Sequence, residues 1–94
     1  MPLYSDGLLD EVRNSVNIVS LVSEYVALRK RGRNWMARCP FHVEKTPSFN
    51  VNEERQIFMC FGCGVGGDVF KFIMQVEHIT FPQAVRWLAD RQGI

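Results

Sequence analysis

The chain has 94 residues, 47% hydrophobic and 22% charged, and its apolar positions run along the whole length, which is the pattern of one globular unit without a disordered tail. Three cysteines cannot pair off into a disulfide framework, Met1-Pro2-Leu3-Tyr4 lacks a secretory start, and charged residues interrupt every apolar stretch short of the ~20 residues that span a bilayer. The expectation is therefore a reducing cytoplasm and no membrane partner. The formal net charge of +1 hides an asymmetry, because Arg29, Lys30, Arg31, Arg33 and Arg38 fall within ten residues that contain no acid, so one face is more positive than the whole chain.

From Leu8 to Tyr25, the residues Leu8, Leu9, Val12, Val16, Val19, Leu21, Val22 and Tyr25 recur at three- and four-residue steps, as a buried helical stripe requires. Asn14-Ser15-Val16-Asn17 divides this stretch into two short helices, with Asn17 capping the second. Val26, Leu28 and Lys30 then alternate with Ala27 and Arg29, and Trp35-Met36-Ala37-Arg38 follows a turn over Arg31-Gly32-Arg33-Asn34, which reads as a β-hairpin. A second hairpin is expected from Ser48–Val51 and Ile57–Cys60 around a polar turn over residues 52–56. Beyond Gly66-Gly67, Asp68 caps a helix carrying Val69, Phe70, Phe72, Ile73 and Val76. Thr80-Phe81-Pro82-Gln83 has the form of a capping box with proline in the first turn. It opens a final helix that presents Phe81, Ala84, Val85, Leu88 and Ala89, with Gly93 near its end. The expected fold class is α+β: short antiparallel hairpins flanked by helices at both ends.

Cys39-Pro40-Phe41-His42 and Cys60-Phe61-Gly62-Cys63 are two pairs, each with two intervening residues, separated by 17 residues. Two intervening residues let a tight turn aim both donors at one ion, and the gap suits a hairpin that brings the pairs together. Gly62 and Gly64 permit the positive φ angles of a knuckle that turns backbone N–H groups toward sulfur. Cys39, His42, Cys60 and Cys63 are thus expected to hold one structural zinc, since four protein ligands leave no position for water or substrate. A chain of this size buries only roughly 60–65% of its unfolded surface. Structural zinc, worth on the order of 10–16 kcal/mol in small peptides, supplies the missing reinforcement. His42-Val43-Glu44 with Cys60-x-x-Cys63 imitates the zinc-deaminase signature, in which a glutamate shuttles protons. Here Met59 stands where that signature has proline, and Cys39 would take the place of the water. His78, between two helices, reads as a surface residue.

The run Cys39-Pro40-Phe41-His42-x-Glu44-Lys45-Thr46-Pro47-Ser48-Phe49, followed by Cys60-Phe61-Gly62-Cys63-Gly64-x-Gly66-Gly67-Asp68, closely resembles the N-terminal zinc-binding domain of bacterial DnaG-type primases. The likeness extends from the opening helix at Asp6–Asn14 through Lys30-x-Gly-Arg-Asn-Trp35 to the Phe81-x-x-Ala-Val helix. It implies a zinc ribbon over residues 1–94, the N-terminal piece of a longer replisome protein. It also implies a sheet face that engages single-stranded template DNA and helps choose initiation sites for RNA primer synthesis. The partner would be an RNA polymerase domain of the same or a neighbouring chain. Magnesium would belong to that domain and not to this chain, and a replicative helicase would bind through a C-terminal region, also outside it. On this reading the fragment alone is not catalytic and has no catalytic residue of its own.

Basic and aromatic side chains on a sheet make a generic single-strand surface, cations neutralising phosphates and rings stacking on bases at about 1–3 kcal/mol each. The candidates are Lys30, Arg33, Trp35, Lys45, Phe49, Arg55 and Phe58, with Trp35 the foremost stacking ring because it adjoins a basic turn. Phe49 and Phe58 alternate with Val51 and Cys60, which also suits core packing. Two other classes compete: a ribbon that binds an acidic protein without single-strand preference, and a self-contained nucleotidyltransferase. Glu53-Glu54 and Asp68 do not make the paired carboxylates that the second would need.

Overall fold

The computed structural model describes residues 5–43 and 45–94. Two helices open the chain, α1 (Asp6–Ser15) and α2 (Ile18–Ser23). Ser5 Oγ accepts from the Leu8 N–H at 3.1 Å, and Asn17 Oδ1 accepts from Val19 and Ser20 at 2.9 and 3.2 Å, so each helix starts on a side chain that satisfies otherwise orphaned donors.

The strands β1 (Arg29–Arg31), β2 (Asn34–Ala37), β3 (Phe49–Asn52), β4 (Ile57–Cys60) and β5 (Gly66–Gly67) form one antiparallel sheet in sequential order. Gly32 sits at φ +64°, as the first central position of a two-residue hairpin turn demands. The first hairpin is shorter than the sequence suggests. The Val26 N–H bonds back to the Val22 carbonyl at 3.1 Å, so residues 26–28 continue the exit of α2 and pairing begins only at Arg29. Strand β5 was not expected at all. Its two glycines pair with Phe58 and Met59, and a Cβ on Gly66 would come within 2.9 Å of the Phe58 carbonyl oxygen, so side-chain patterning carries no trace of this strand.

After the sheet come α3 (Val69–Glu77) and α4 (Phe81–Gln92). Asp68 Oδ1 accepts from Phe70 and Lys71, and its Oδ2 lies 3.4 Å from Arg13 Nε of α1. Thr80 and Gln83 close a reciprocal capping box, and the exposed His78 ends α3 in the left-handed conformation, φ +57°.

Strand alternation sorts the sheet into two faces. Trp35, Ala37, Phe49, Val51, Phe58 and Cys60 share one face through the pairings Trp35↔Val51, Ala37↔Phe49, Phe49↔Cys60 and Val51↔Phe58. Helix α2 packs on β3 and α3, α3 on α4, and α4 on α1. Between helices and sheet lies an aromatic cluster in which Phe72, fully buried, meets Tyr25, Phe41, Phe49 and Phe58 with ring centroids 5.4–6.3 Å apart. The opposite face carries no helix among the described residues and presents Arg29, Arg31, Asn34, Met36, Asn50, Asn52, Ile57 and Met59.

Candidate metal centre and outer sheet face

The register that pairs Ala37 with Phe49 and Phe49 with Cys60 places the end of β2, and with it Cys39, beside the end of β4. The segment 39–42 leaves one strand and the segment 60–63 leaves the other, so both ligand pairs meet at one end of the sheet. In the second knuckle the Gly64 N–H bonds to the Cys60 carbonyl at 2.8 Å and the Cys60 N–H to the Val65 carbonyl at 2.8 Å. Of Gly62 and Gly64, it is Gly64 that takes a positive φ, +82°. In the first knuckle the Phe41 N–H donates to Cys39 Sγ at 3.3 Å.

One donor atom from each of Cys39, His42, Cys60 and Cys63 lies within 4.8 Å of every other, and Cys39 Sγ is 3.9 Å from Cys63 Sγ. Zinc–sulfur bonds of about 2.3 Å at the tetrahedral angle would set two sulfurs about 3.8 Å apart, so the residues fit the ion with little movement. His42 Nδ1 is shielded from solvent, Cys39 and Cys60 are buried and Cys63 is exposed. Burial pushes the Cys39 thiol up to about 12, although the Phe41 N–H favours its thiolate. Burial also raises Cys60, but the Ser48 hydroxyl and the backbone N–H groups of Cys63 and Gly62 outweigh it and bring this thiol down to about 7. Donors that stabilise a thiolate without metal equally stabilise zinc-bound sulfur. Three cysteines and a histidine closing a tetrahedron make a structural zinc site, and the ion's contribution there is to fix both knuckles to the sheet. Glu44, the proton shuttle of the deaminase-like signature, lies outside the described residues.

The other sequence candidates scatter. Phe49 and Phe58 are 0% and 2% exposed and stack on each other at 5.4 Å between centroids. They belong to the aromatic core and offer no face to a base, because the alternation with Val51 and Cys60 turns them toward the helices. Trp35 is half-buried on the same inner face. Its Nε1 donates to Glu53 at 3.4 Å, and the Lys30 ammonium lies 5.8 Å from its ring, so this ring already has a cation on it. Lys30, Arg33 and Arg55 are exposed at the turn end of the sheet, beside Glu53 and Glu54, whereas Lys45 is exposed at the zinc end. Arg29 and Arg31, not among the sequence candidates, flank Lys30 and therefore point the opposite way, onto the outer face. The period of two could have found them had the inner face of β2 been fixed first.

A sequential five-stranded antiparallel sheet, with helices at both ends and a Cys3His cluster at its strand ends, defines a zinc-ribbon domain of α+β class. The model of the CHC2 zinc finger family matches residues 4–94, and the chain belongs to that family. It is 52% identical over 87 residues to the DNA primase of Enterococcus faecalis, covering 93% of this chain and 14% of that protein. With the DNA primase of Listeria monocytogenes it is 53% identical over 90 residues, covering 96% and 14%. A crystal structure of the Aquifex aeolicus primase, comprising zinc-binding and RNA polymerase domains, superposes with a TM-score of 0.88 at 48% identity over 96% of this chain and 22% of that one. The chain therefore spans about one-seventh of the length of the curated primases. Among the described residues no helix is long and apolar enough to cross a membrane.

Proposed function

We propose that this chain is the zinc-binding domain of a bacterial DNA primase and that its outer sheet face holds single-stranded template, helping to choose where an RNA polymerase domain begins a primer. The observation that carries the reading is the composition of that face. Its outward positions over β1–β4 are Arg29, Arg31, Asn34, Met36, Asn50, Asn52, Ile57 and Met59. They supply phosphate-binding forks, amide groups that can both donate and accept, and apolar side chains against which bases can lie, with no acid among them. Arg33 and Arg55 at the turn end, and Arg38 and Lys45 at the zinc end, extend the cationic track in both directions. Polymerisation, its magnesium and any helicase contact belong to the rest of the primase, in which the tether raises the local concentration of a weakly binding module.

Three or four phosphate contacts predict that binding of a single-stranded oligonucleotide weakens with salt at a log–log slope of roughly −2 to −3. Arg29→Ala and Arg31→Ala should each flatten the slope by about 0.7, while Arg86→Ala, on the exposed side of α4, should not change it. A salt titration by fluorescence anisotropy checks this. A flat response, or equal binding of duplex and single strand, would instead favour a ribbon that binds an acidic protein.

A further inference from the structure

Between the β1–β2 hairpin and the zinc loop the outer face deepens into a cavity of about 680 Å³, within the range of roughly 300–1,000 Å³ typical of small-ligand sites. Its floor is aliphatic, formed by Val26, Ala27, Met36 and Pro47, with the inward-facing Ala37 bordering it between Met36 and Arg38. Its rim is cationic, formed by Arg29, Arg31 and Arg38, and no acidic residue lines it. Arg29 and Arg31 project from alternate positions of β1, and Met36 pairs directly with Arg29, so the cavity opens onto the face proposed to carry the strand.

We infer that this cavity is a base seat, in which one nucleotide of a bound single strand leaves the stack and lies against the aliphatic floor while its flanking phosphates rest on Arg29, Arg31 and Arg38. The chemistry favours a nucleotide on two counts. Guanidinium forks match phosphate oxygens in two-point geometry, and a flat heterocycle can lay one apolar face on the floor while its polar edge stays open to water, so a floor with few hydrogen-bonding groups suits it. A peptide with acidic side chains could use the arginines, but it would not need a slot continuous with the strand path. The inference rests on the single-strand reading and adds to it a specific position where one base is held apart from its neighbours. Such a position is where a module otherwise indifferent to sequence could prefer one base size over another.

The test uses a short single-stranded oligonucleotide with one 2-aminopurine, a base whose emission is quenched by stacking, together with the full chain and its Ala27→Trp variant. Ala27 is exposed in a segment before β1, so the indole fills the cavity without entering the core. On the wild type the emission should rise several-fold at saturation. With Ala27→Trp affinity should fall about five- to tenfold, a loss that quenching by the indole cannot produce, and the rise should vanish with it, while the salt slope stays the same because no phosphate contact is lost. A wild type that binds the strand without the rise, or an Ala27→Trp variant that keeps wild-type affinity, overturns the base seat and leaves the strand-binding reading standing. No single-strand binding by the wild type overturns both.

Discussion

Replacing Phe72 by alanine probes whether the aromatic core and the metal site are one cooperative unit. Phe72 is fully buried and touches Tyr25 of the α2 exit, Phe41 of the first knuckle, Phe49 of β3 and Phe58 of β4. Removing a buried phenylalanine costs about 3–5 kcal/mol. A domain of 94 residues has about 5–14 kcal/mol of stability in all. If the chain without zinc is largely unfolded, zinc binding and folding are the same equilibrium, and the whole loss passes into metal affinity, a weakening of roughly 150- to 5,000-fold. No ligand is touched by this substitution, so such a change can travel only through folding. Competition for zinc against a chromophoric chelator, run beside urea unfolding of the zinc-loaded protein, measures both quantities. A Phe72→Ala protein whose urea midpoint drops while its zinc affinity stays within threefold of wild type would refute the coupling.

Cys63 is the exposed ligand, so Cys63→Ala opens no core cavity and isolates ligation itself; metal analysis should find zinc lost, and circular dichroism should show the fold lost with it, whereas a folded variant with one zinc per chain contradicts the four-ligand site. Gly67 lies at φ +154°, and a Cβ there would meet Lys71 Cβ at 2.6 Å, so Gly67→Ala should destabilise by about 1–3 kcal/mol, visible as a lowered urea midpoint. An unchanged midpoint would show that the β5–α3 junction adjusts freely. Burial and the Tyr25 O–H···Glu77 hydrogen bond of 2.8 Å raise the Tyr25 hydroxyl to about 12. Its unfolded value is near ~10, so the stabilisation is complete below ~10 and is lost as pH climbs toward 12. The difference in urea midpoint between wild type and Tyr25→Phe should therefore hold up to ~pH 10 and shrink as pH rises from there toward 12, and a difference that stays constant through that range would count against the burial and hydrogen bonding of this hydroxyl.

What the sequence made legible follows from how local each determinant is. The ligand set needs only the spacing within two short turns and a hairpin between them, and the helix starts at Asn17, Asp68 and Thr80 need only residues within three positions. All of these appear where the sequence puts them. Facing is different, because which side of a strand meets the core depends on where distant helices settle. Val26, Leu28 and Lys30 alternate like a strand, yet the first two complete the exit of α2, and Lys30 then falls on the same side as Trp35. That single register decides that Trp35 packs inward and that Arg29 and Arg31 face out. Phe49 and Phe58 suit either side of an isolated hairpin, and only α3, bringing Phe72 against them, commits them to the core. Strand β5 leaves no pattern because glycine has no side chain to alternate.

The metal site stands where the two faces of the sheet meet, which gives the zinc a reach beyond its four ligands. On the inner side Phe41, held between Cys39 and His42, closes the aromatic cluster against Phe49, Phe58 and Phe72. On the outer side Arg38 directly precedes Cys39, and Pro47, on the floor of the cavity, lies on the short segment that joins His42 to β3. A knuckle that loses its metal therefore releases a wall of the core and a wall of the cavity together. The backbone donors to Cys60 come from Gly62 and Cys63, so the second knuckle depends on the same ion for its shape. An ion held by four side chains thus governs both faces of the sheet, because it fixes the strand ends between which the core and the cavity are built.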